Sequence, residues 1–185
     1  MSRYWEPRLK SYVVQVLPGE LHVTREDVVI TTILGSCVSA CLRDRERGIG
    51  GINHFMLPNA VRGDDAASAR YGVYALECLV NQVLGSRGAR KSLEVKVFGG
   101  GRVIEGTGDV GKWNIALVRE FLANENLAIA AEDMGDRYAR RVRYWPRTGR
   151  AQIQRIPMAR AGTVVANEER AAATAAAAGG TVELF

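Results

Sequence analysis

The chain has 185 residues, 47% of them hydrophobic and 24% charged, with a formal net charge of +5. That is the size of one globular domain with extensions, carrying enough apolar material for a core. No apolar run reaches the roughly 18–20 residues of a membrane helix, the opening "MSRYWEPRLKSYVV" lacks a signal-peptide core, and three cysteines at scattered spacing make no disulfide framework. A cytoplasmic protein with reduced thiols is expected.

Residues 1–10 read as a flexible N-terminal arm. From Ser11 the pattern turns to β: "SYVVQVLPG" and "DVVITTIL" are β-branched and apolar, and each ends in turn residues. The intervening "GELHVTRED" is polar and leaves His22 as a surface residue. "SCVSACLRD" and "GIGGINHFML" are two further extended runs joined by the polar "RDRERG". A helix is expected to open at Asp64, with Leu76, Leu79, Val80 and Val83 on one face and Gly85 and Gly88 as stops. "LEVKVF" reads as a strand entering the turn Gly99-Gly100-Gly101, and a second helix should follow Asp109 with Trp113, Leu117, Val118 and Phe121 on its apolar side. "LAIAAED" is another strand, and "RRVRYW-PRTG-RAQIQRI" has the form of a hairpin with Pro146 and Gly149 in the turn. Residues 11–157 thus form the folded domain, and 158–185 form an alanine-rich low-complexity tail. Strands and helices are mixed without a regular βαβ repeat, which points to an α+β fold.

The chemistry concentrates in "TTILGSCVSACLRDRERGIGGINHFMLP", Thr31 to Pro58. A β-hairpin centred on Arg45 and Glu46 places Cys37 directly opposite His54, with both side chains on one face. A register slip of one residue would separate them. An imidazole beside a thiol takes its proton and turns it into a nucleophile. The Gly35-Ser36 turn before Cys37 is suited to expose the sulfur and to aim backbone N–H groups at an oxyanion. Thr31, Thr32, Ser36 and Asn53 all stand near enough in sequence to orient the ring. Against this, cysteines in apolar strands are usually packing, which is the reading given to Cys41 and Cys78. A metal site of Cys37, Cys41 and His54, completed by Asp44, is the rival chemistry, although C-x3-C departs from the common knuckle spacing. "FGGGRVIEGTG" lacks the order of a phosphate-binding loop and reads as a backbone turn.

The same stretch strongly resembles the signature of the CheD family, the chemoreceptor glutamine deamidases of bacterial and archaeal chemotaxis. "VKVFGGGRVIEGTGDVGKWN" and "AEDMGDRYARRVRYWPRTGRAQIQRI" are similar to its later segments, so that the resemblance runs from about Val14 to Ile156. Gly135-Asp136 stands in place of the family's double glycine, and Trp113 where a basic residue is common. The resemblance implies packed mixed β-sheets flanked by helices, related to toxin deamidases with Cys–His sites. It also implies Cys37 as nucleophile, His54 as general base and Thr31 as the hydroxyl that supports the histidine. No cofactor is implied. The implied partners are the cytoplasmic helices of chemoreceptors, as substrate, and a CheC-type phosphatase. A non-catalytic adaptor that binds receptors and the phosphatase is the alternative.

"RYARRVRYWPRTGR" packs Arg137, Arg140, Arg141, Arg143, Arg147 and Arg150 into fourteen residues. Such a strip suits a polyanion or an acidic protein surface, and otherwise solvates a sheet. With acidic receptor helices as substrate, Arg141 and Arg143 are expected to guide them towards Cys37. Nucleic acid is the disfavoured partner.

Overall fold

The structure, a computed structural model, describes residues 1–56, 65–103 and 110–157, with 65–70 as backbone only, and the isolated positions 162, 166 and 170. The start expected at Asp64 and, apart from those three positions, the tail lie outside the described residues. The β-branched runs form strands where they were expected: β2 (Ser11–Gln15), β4 (Val29–Leu34), β5 (Val38–Asp44), β6 (Ile49–Asn53), β7 (Leu93–Gly99), β8 (Ile129–Met134), β9 (Ala139–Trp145) and β10 (Arg150–Ile156). Helices α1 (Asp65–Leu84) and α2 (Val110–Asn124) complete the pattern.

Two more strands were not expected. Residues 2–6 form β1 (Ser2–Glu6), paired antiparallel with β2, instead of a loose arm. Tyr4 and Trp5 favour extended backbone, and Trp5 meets Tyr12 edge-on at 5.2 Å across the pair. The polar "LHVT" forms β3 (Leu21–Thr24) against β6, which makes His22 half-buried rather than exposed.

The strands build two five-stranded sheets in the orders β1-β2-β4-β9-β10 and β3-β6-β5-β7-β8. Both are mixed, since β2 runs parallel to β4 and β7 parallel to β8. Alternation along β5 sends Val38, Ala40 and Leu42 to one face and Cys37 and Cys41 to the other. The first set packs with Leu76, Leu79, Val80 and Val83 of α1 and Val118, Phe121 and Leu122 of α2. The second meets Val14, Ile30, Leu34, Val142 and Tyr144 of the first sheet. The molecule is therefore layered sheet–sheet–helix, with both helices on one side. Each leucine buried in these cores contributes about 1.5–3 kcal/mol.

The chain changes sheets between β4 and β5, at residues 35–37. That crossing carries the candidate site.

Candidate active site

Asp44 and Ile49 close the β5–β6 hairpin around a four-residue loop. The Asp44 carboxylate accepts the N–H groups of Glu46 and Arg47 at 3.0 and 3.1 Å, and Gly48 takes a left-handed φ of 62°. The turn is thus centred one residue later than expected. Cys41 pairs with Ile52 and Val38 with Phe55, which sets His54 opposite Ser39, not opposite Cys37. Cys37 and His54 still share a face, as diagonal neighbours with Cα atoms about 7–8 Å apart. A shift of partner by two residues preserves the face.

Between these pairs the ladder opens. Asn53, buried at the end of β6, accepts the Ala40 N–H at 2.8 Å through its side chain and donates to Ala75 O of α1 at 3.1 Å. The His54 backbone turns instead to the β2–β3 loop, donating to Glu20 O at 2.9 Å and accepting from Gly19 at 2.8 Å. This leaves the imidazole between the sheets, facing β4.

The hydroxyl that meets the ring belongs to Thr32, not to Thr31. Thr32 Oγ1 lies 2.7 Å from His54 Nδ1 and donates to Val16 O at 2.8 Å. Val16 O can only accept, so the one hydroxyl proton goes there and Thr32 receives the Nδ1 proton. Neutral His54 consequently carries its basic lone pair on Nε2. Thr31, one step along β4, points to the outer face of the first sheet and donates to Val142 O at 2.8 Å. Strand alternation is the reason: Ile30, Thr32 and Leu34 face inward, Thr31 and Ile33 outward.

The turn before Cys37 is held through its carbonyls. Gly35 O accepts from Gly101 N and Cys37 O from Gly100 N, both at 2.7 Å, while Ser36 O accepts from Asn114 Nδ2 at 2.9 Å. Trans peptide units set each N–H opposite the preceding carbonyl, so the N–H groups of Ser36 and Cys37 point to the other side. The Gly99–Gly101 turn can approach this closely only without side chains: a β-carbon on Gly99, at φ 112°, would lie 2.2 Å from Cys37 O. The sulfur is not exposed as expected. Cys37 is 0% accessible and His54 2%, because the crossing lies within the inter-sheet core.

Asn114 is fully buried, whereas Trp113, assigned to the apolar side of α2, is 43% exposed. The signal was present in the spacing of Asn114, Val118, Phe121 and Leu122, which share one helical face. Tyr71 of α1 also reaches this region. Its hydroxyl would stand 3.3 Å from a β-carbon on Gly19, beside the His54 backbone. Burial raises the Tyr71 phenol above its ordinary value, and negative charge on Cys37 adds to the shift. On the other flank, burial alone would raise the Glu20 carboxyl. The Met1 ammonium, the Leu17 N–H and positive charge on His54 outweigh that and hold it below the usual range.

Burial pushes the Cys41 thiol far above the ordinary thiol range, Lys96 and Ser39 offsetting only part, which suits a packing role. Asp44 faces the helices and serves the turn. Among the described residues no three His, Cys, Asp or Glu side chains gather as metal ligands.

Arg141 and Arg143 are not brought to Cys37. Val142 and Tyr144 face inward, so the two arginines stand on the outer face of the first sheet. Arg140, between them and the preceding loop, is 0% exposed. It bonds Asp133 Oδ1 at 2.6 Å, Gly135 O at 2.5 Å and Tyr138 O at 3.3 Å, bracing the loop that adjoins the Gly99–Gly101 turn.

Residues 56–155 match the family described as "CheD chemotactic sensory transduction". A protein of Halorhodospira halophila (strain DSM 244 / SL1) is 47% identical over 178 residues, covering 91% of this chain and 82% of that relative. The chain belongs to the CheD family. A relative from Methylobacillus flagellatus is 43% identical over 190 residues, 98% of this chain and 94% of its own length, and one from Janthinobacterium sp. (strain Marseille) is 44% identical over 191 residues, 98% of this chain and 93% of its own. All three are named "Probable chemoreceptor glutamine deamidase CheD". The family match begins two residues past His54, while these CheD relatives cover nearly the whole chain. No helix among the described residues is long and apolar enough to cross a membrane.

Proposed function

We propose that this chain hydrolyses side-chain amides of specific glutamines in chemoreceptors to glutamate and ammonia, as a cysteine hydrolase of the CheD type. The names of its relatives support the substrate class. The observation that carries the chemistry is the Thr32–His54 contact on the face shared with Cys37.

His54 Nε2 takes the thiol proton of Cys37, and the thiolate attacks the amide carbon. The N–H groups of Ser36 and Cys37, turned away from the anchored carbonyls, receive the developing oxyanion. As the tetrahedral adduct collapses, the imidazolium returns its proton to the leaving nitrogen; ammonia departs and a thioester remains on Cys37. Water then attacks the thioester with His54 again as base, releasing glutamate and the thiol. Thr32 accepts the Nδ1 proton throughout and so stabilises the imidazolium as well as the orientation of the ring.

Mass spectrometry of a purified chemoreceptor cytoplasmic fragment, incubated with wild type or with Cys37→Ala, tests the reading. Deamidation at defined glutamines with wild type alone supports it. A fragment bound equally by both and modified by neither would leave an adaptor.

A further inference from the structure

The loop that receives the His54 backbone is Leu17-Pro18-Gly19-Glu20. Proline stands second and glycine third, at φ 82°, and the Glu20 N–H donates to Leu17 O at 3.0 Å, which makes a type II turn. Gly19 N–H donates to His54 O at 2.8 Å and His54 N–H to Glu20 O at 2.9 Å, so two residues of the turn oppose one at the end of β6. This is a β-bulge opened by a left-handed glycine, a feature that re-aims side chains at the end of a ladder. The β3–β6 register, with Leu21 opposite Asn53, runs on to set Glu20 opposite His54. Both side chains leave the ladder on the face of Ile52, which is turned to the first sheet, with β-carbons about 5 Å apart. The Glu20 carboxylate is held at this pair: Oε2 accepts the Leu17 N–H at 2.9 Å and Oε1 accepts the Met1 ammonium, brought there by the pairing of β1 with β2.

We propose that Glu20 is a positioning residue for the reaction, a fixed negative charge beside His54 that favours its imidazolium form and so strengthens the ring as a base towards Cys37. The inference rests on the cysteine-hydrolase reading of the site. Thr32, which orients the ring at Nδ1, carries no charge, so the charge that a carboxylate supplies in a Ser-His-Asp triad has to come from elsewhere. Burial alone would raise the Glu20 carboxyl, but bonds from the Met1 ammonium and Leu17, with positive charge on Met1 and His54, keep it ionised. Coupling between two charges is reciprocal, so the carboxylate stabilises the imidazolium as the imidazolium stabilises the carboxylate. The other titratable groups around His54 among the described residues are Cys37 at the crossing, Tyr71 of α1 and His22 one pair along the same face. Cys37 and Tyr71 are neutral before the proton moves, and the Met1 ammonium offsets part of the carboxylate's field.

The test reads His54 directly. In the full chain with Cys37→Ala the imidazole titrates without its thiol partner, and the two histidines give two NMR titrations, assigned with His22→Gln. Glu20→Gln keeps an oxygen for the Leu17 N–H, and with it the turn, while removing the charge. It should move the His54 titration midpoint down by about 0.5–1 pH unit, an about three- to tenfold loss of proton affinity, since the carboxylate is partly exposed and shared with Met1. His22, whose titration is set by burial and by its neighbours Glu26 and Arg3, should move less. Glu20→Ser carries the same expectation should the glutamine variant misfold, and Glu20→Asp should restore most of the wild-type midpoint. With Cys37 in place, the acid limb of kcat/KM for ammonia release from a chemoreceptor fragment should move to lower pH in Glu20→Gln. An unmoved His54 titration in both neutral variants, or an equal shift in Glu20→Asp, overturns the proposal. A wild type that releases no ammonia instead fails the hydrolase reading, whatever the titration shows.

Discussion

A single hydroxyl proton decides which nitrogen of His54 is basic. Because Val16 O takes that proton, Thr32 must receive Nδ1–H, and the lone pair is left on Nε2. Thr32→Val removes both bonds and frees the tautomer, and should lower kcat about 100-fold, the lower part of the range for general-base catalysis. Thr32→Ser should restore most of it. Thr31→Val, whose hydroxyl serves Val142 O on the other face, should leave kcat close to wild type; steady-state ammonia release distinguishes the two. Thiol labelling gives a second measurement. At neutral pH, His54→Ala should slow alkylation of Cys37 strongly and leave that of the half-exposed Cys78 unchanged, because in the proposed mechanism only Cys37 gives its proton to the imidazole. That Cys37 and His54 share a face was legible because side chains alternate: the real turn shifted the partner by two residues and kept the face. The threonine was not. The family resemblance counts six positions back from Cys37, and a one-residue difference along β4 reverses the face.

The crossing between β4 and β5 is held from two other elements, the glycine turn after β7 and Asn114 of α2. Asn114→Leu keeps the volume but leaves Ser36 O without its donor, and should cost about 1–3 kcal/mol in denaturant titration. Activity should fall further than that loss of stability accounts for, since the N–H groups of Ser36 and Cys37 lose their fixed direction. Gly99→Ala should be worse on both counts, its β-carbon being forced against Cys37 O at a left-handed φ. At this scale the helices were legible from their period, and Leu76, Leu79, Val80 and Val83 are buried in α1 as read. The phase of α2 was not. Hydrophobicity drew Trp113 inward, whereas the helix spends that direction on Asn114, whose amide satisfies a buried carbonyl. The hairpin loop was misplaced for a similar reason: "RDRERG" reads as polar, but only the Asp44 carboxylate and the left-handed Gly48 define where it reverses.

Strand runs were readable one by one, but their assembly into two sheets was not, because it depends on pairings between residues more than a hundred positions apart, such as Thr31 with Arg143. The polar contacts that tie the sheets together were equally hidden. At one end Asp133 of β8 binds Arg140 of β9 and Arg155 of β10. At the other, Glu94 of β7 binds Arg43, which also donates to Arg147 O in the β9–β10 turn, and Lys96 reaches Gly149 O. Burial alone would raise both carboxyl groups, but bonds from Arg140 and Arg155 to Asp133, and from Arg43 to Glu94, hold them below the usual carboxylate range. A carboxyl whose pKa is lower folded than unfolded stabilises the fold above the unfolded value, about 4, and loses that contribution as pH falls through the folded value. Melting temperature should therefore stay level with respect to these groups from about pH 5.5 to 7.5 and decline below about pH 4. Asp133→Asn should lower it at neutral pH by the equivalent of about 3 kcal/mol, because Arg140 is wholly buried and loses its charged partner. The same variant should show a shallower acid decline, since the group that titrates has been removed. Added salt should weaken the more accessible Glu94 pair and barely affect Asp133–Arg140. A thermal scan of wild type and Asp133→Asn across pH 3 to 7 reads both effects, and parallel acid limbs would show that the two sheets are held by packing alone.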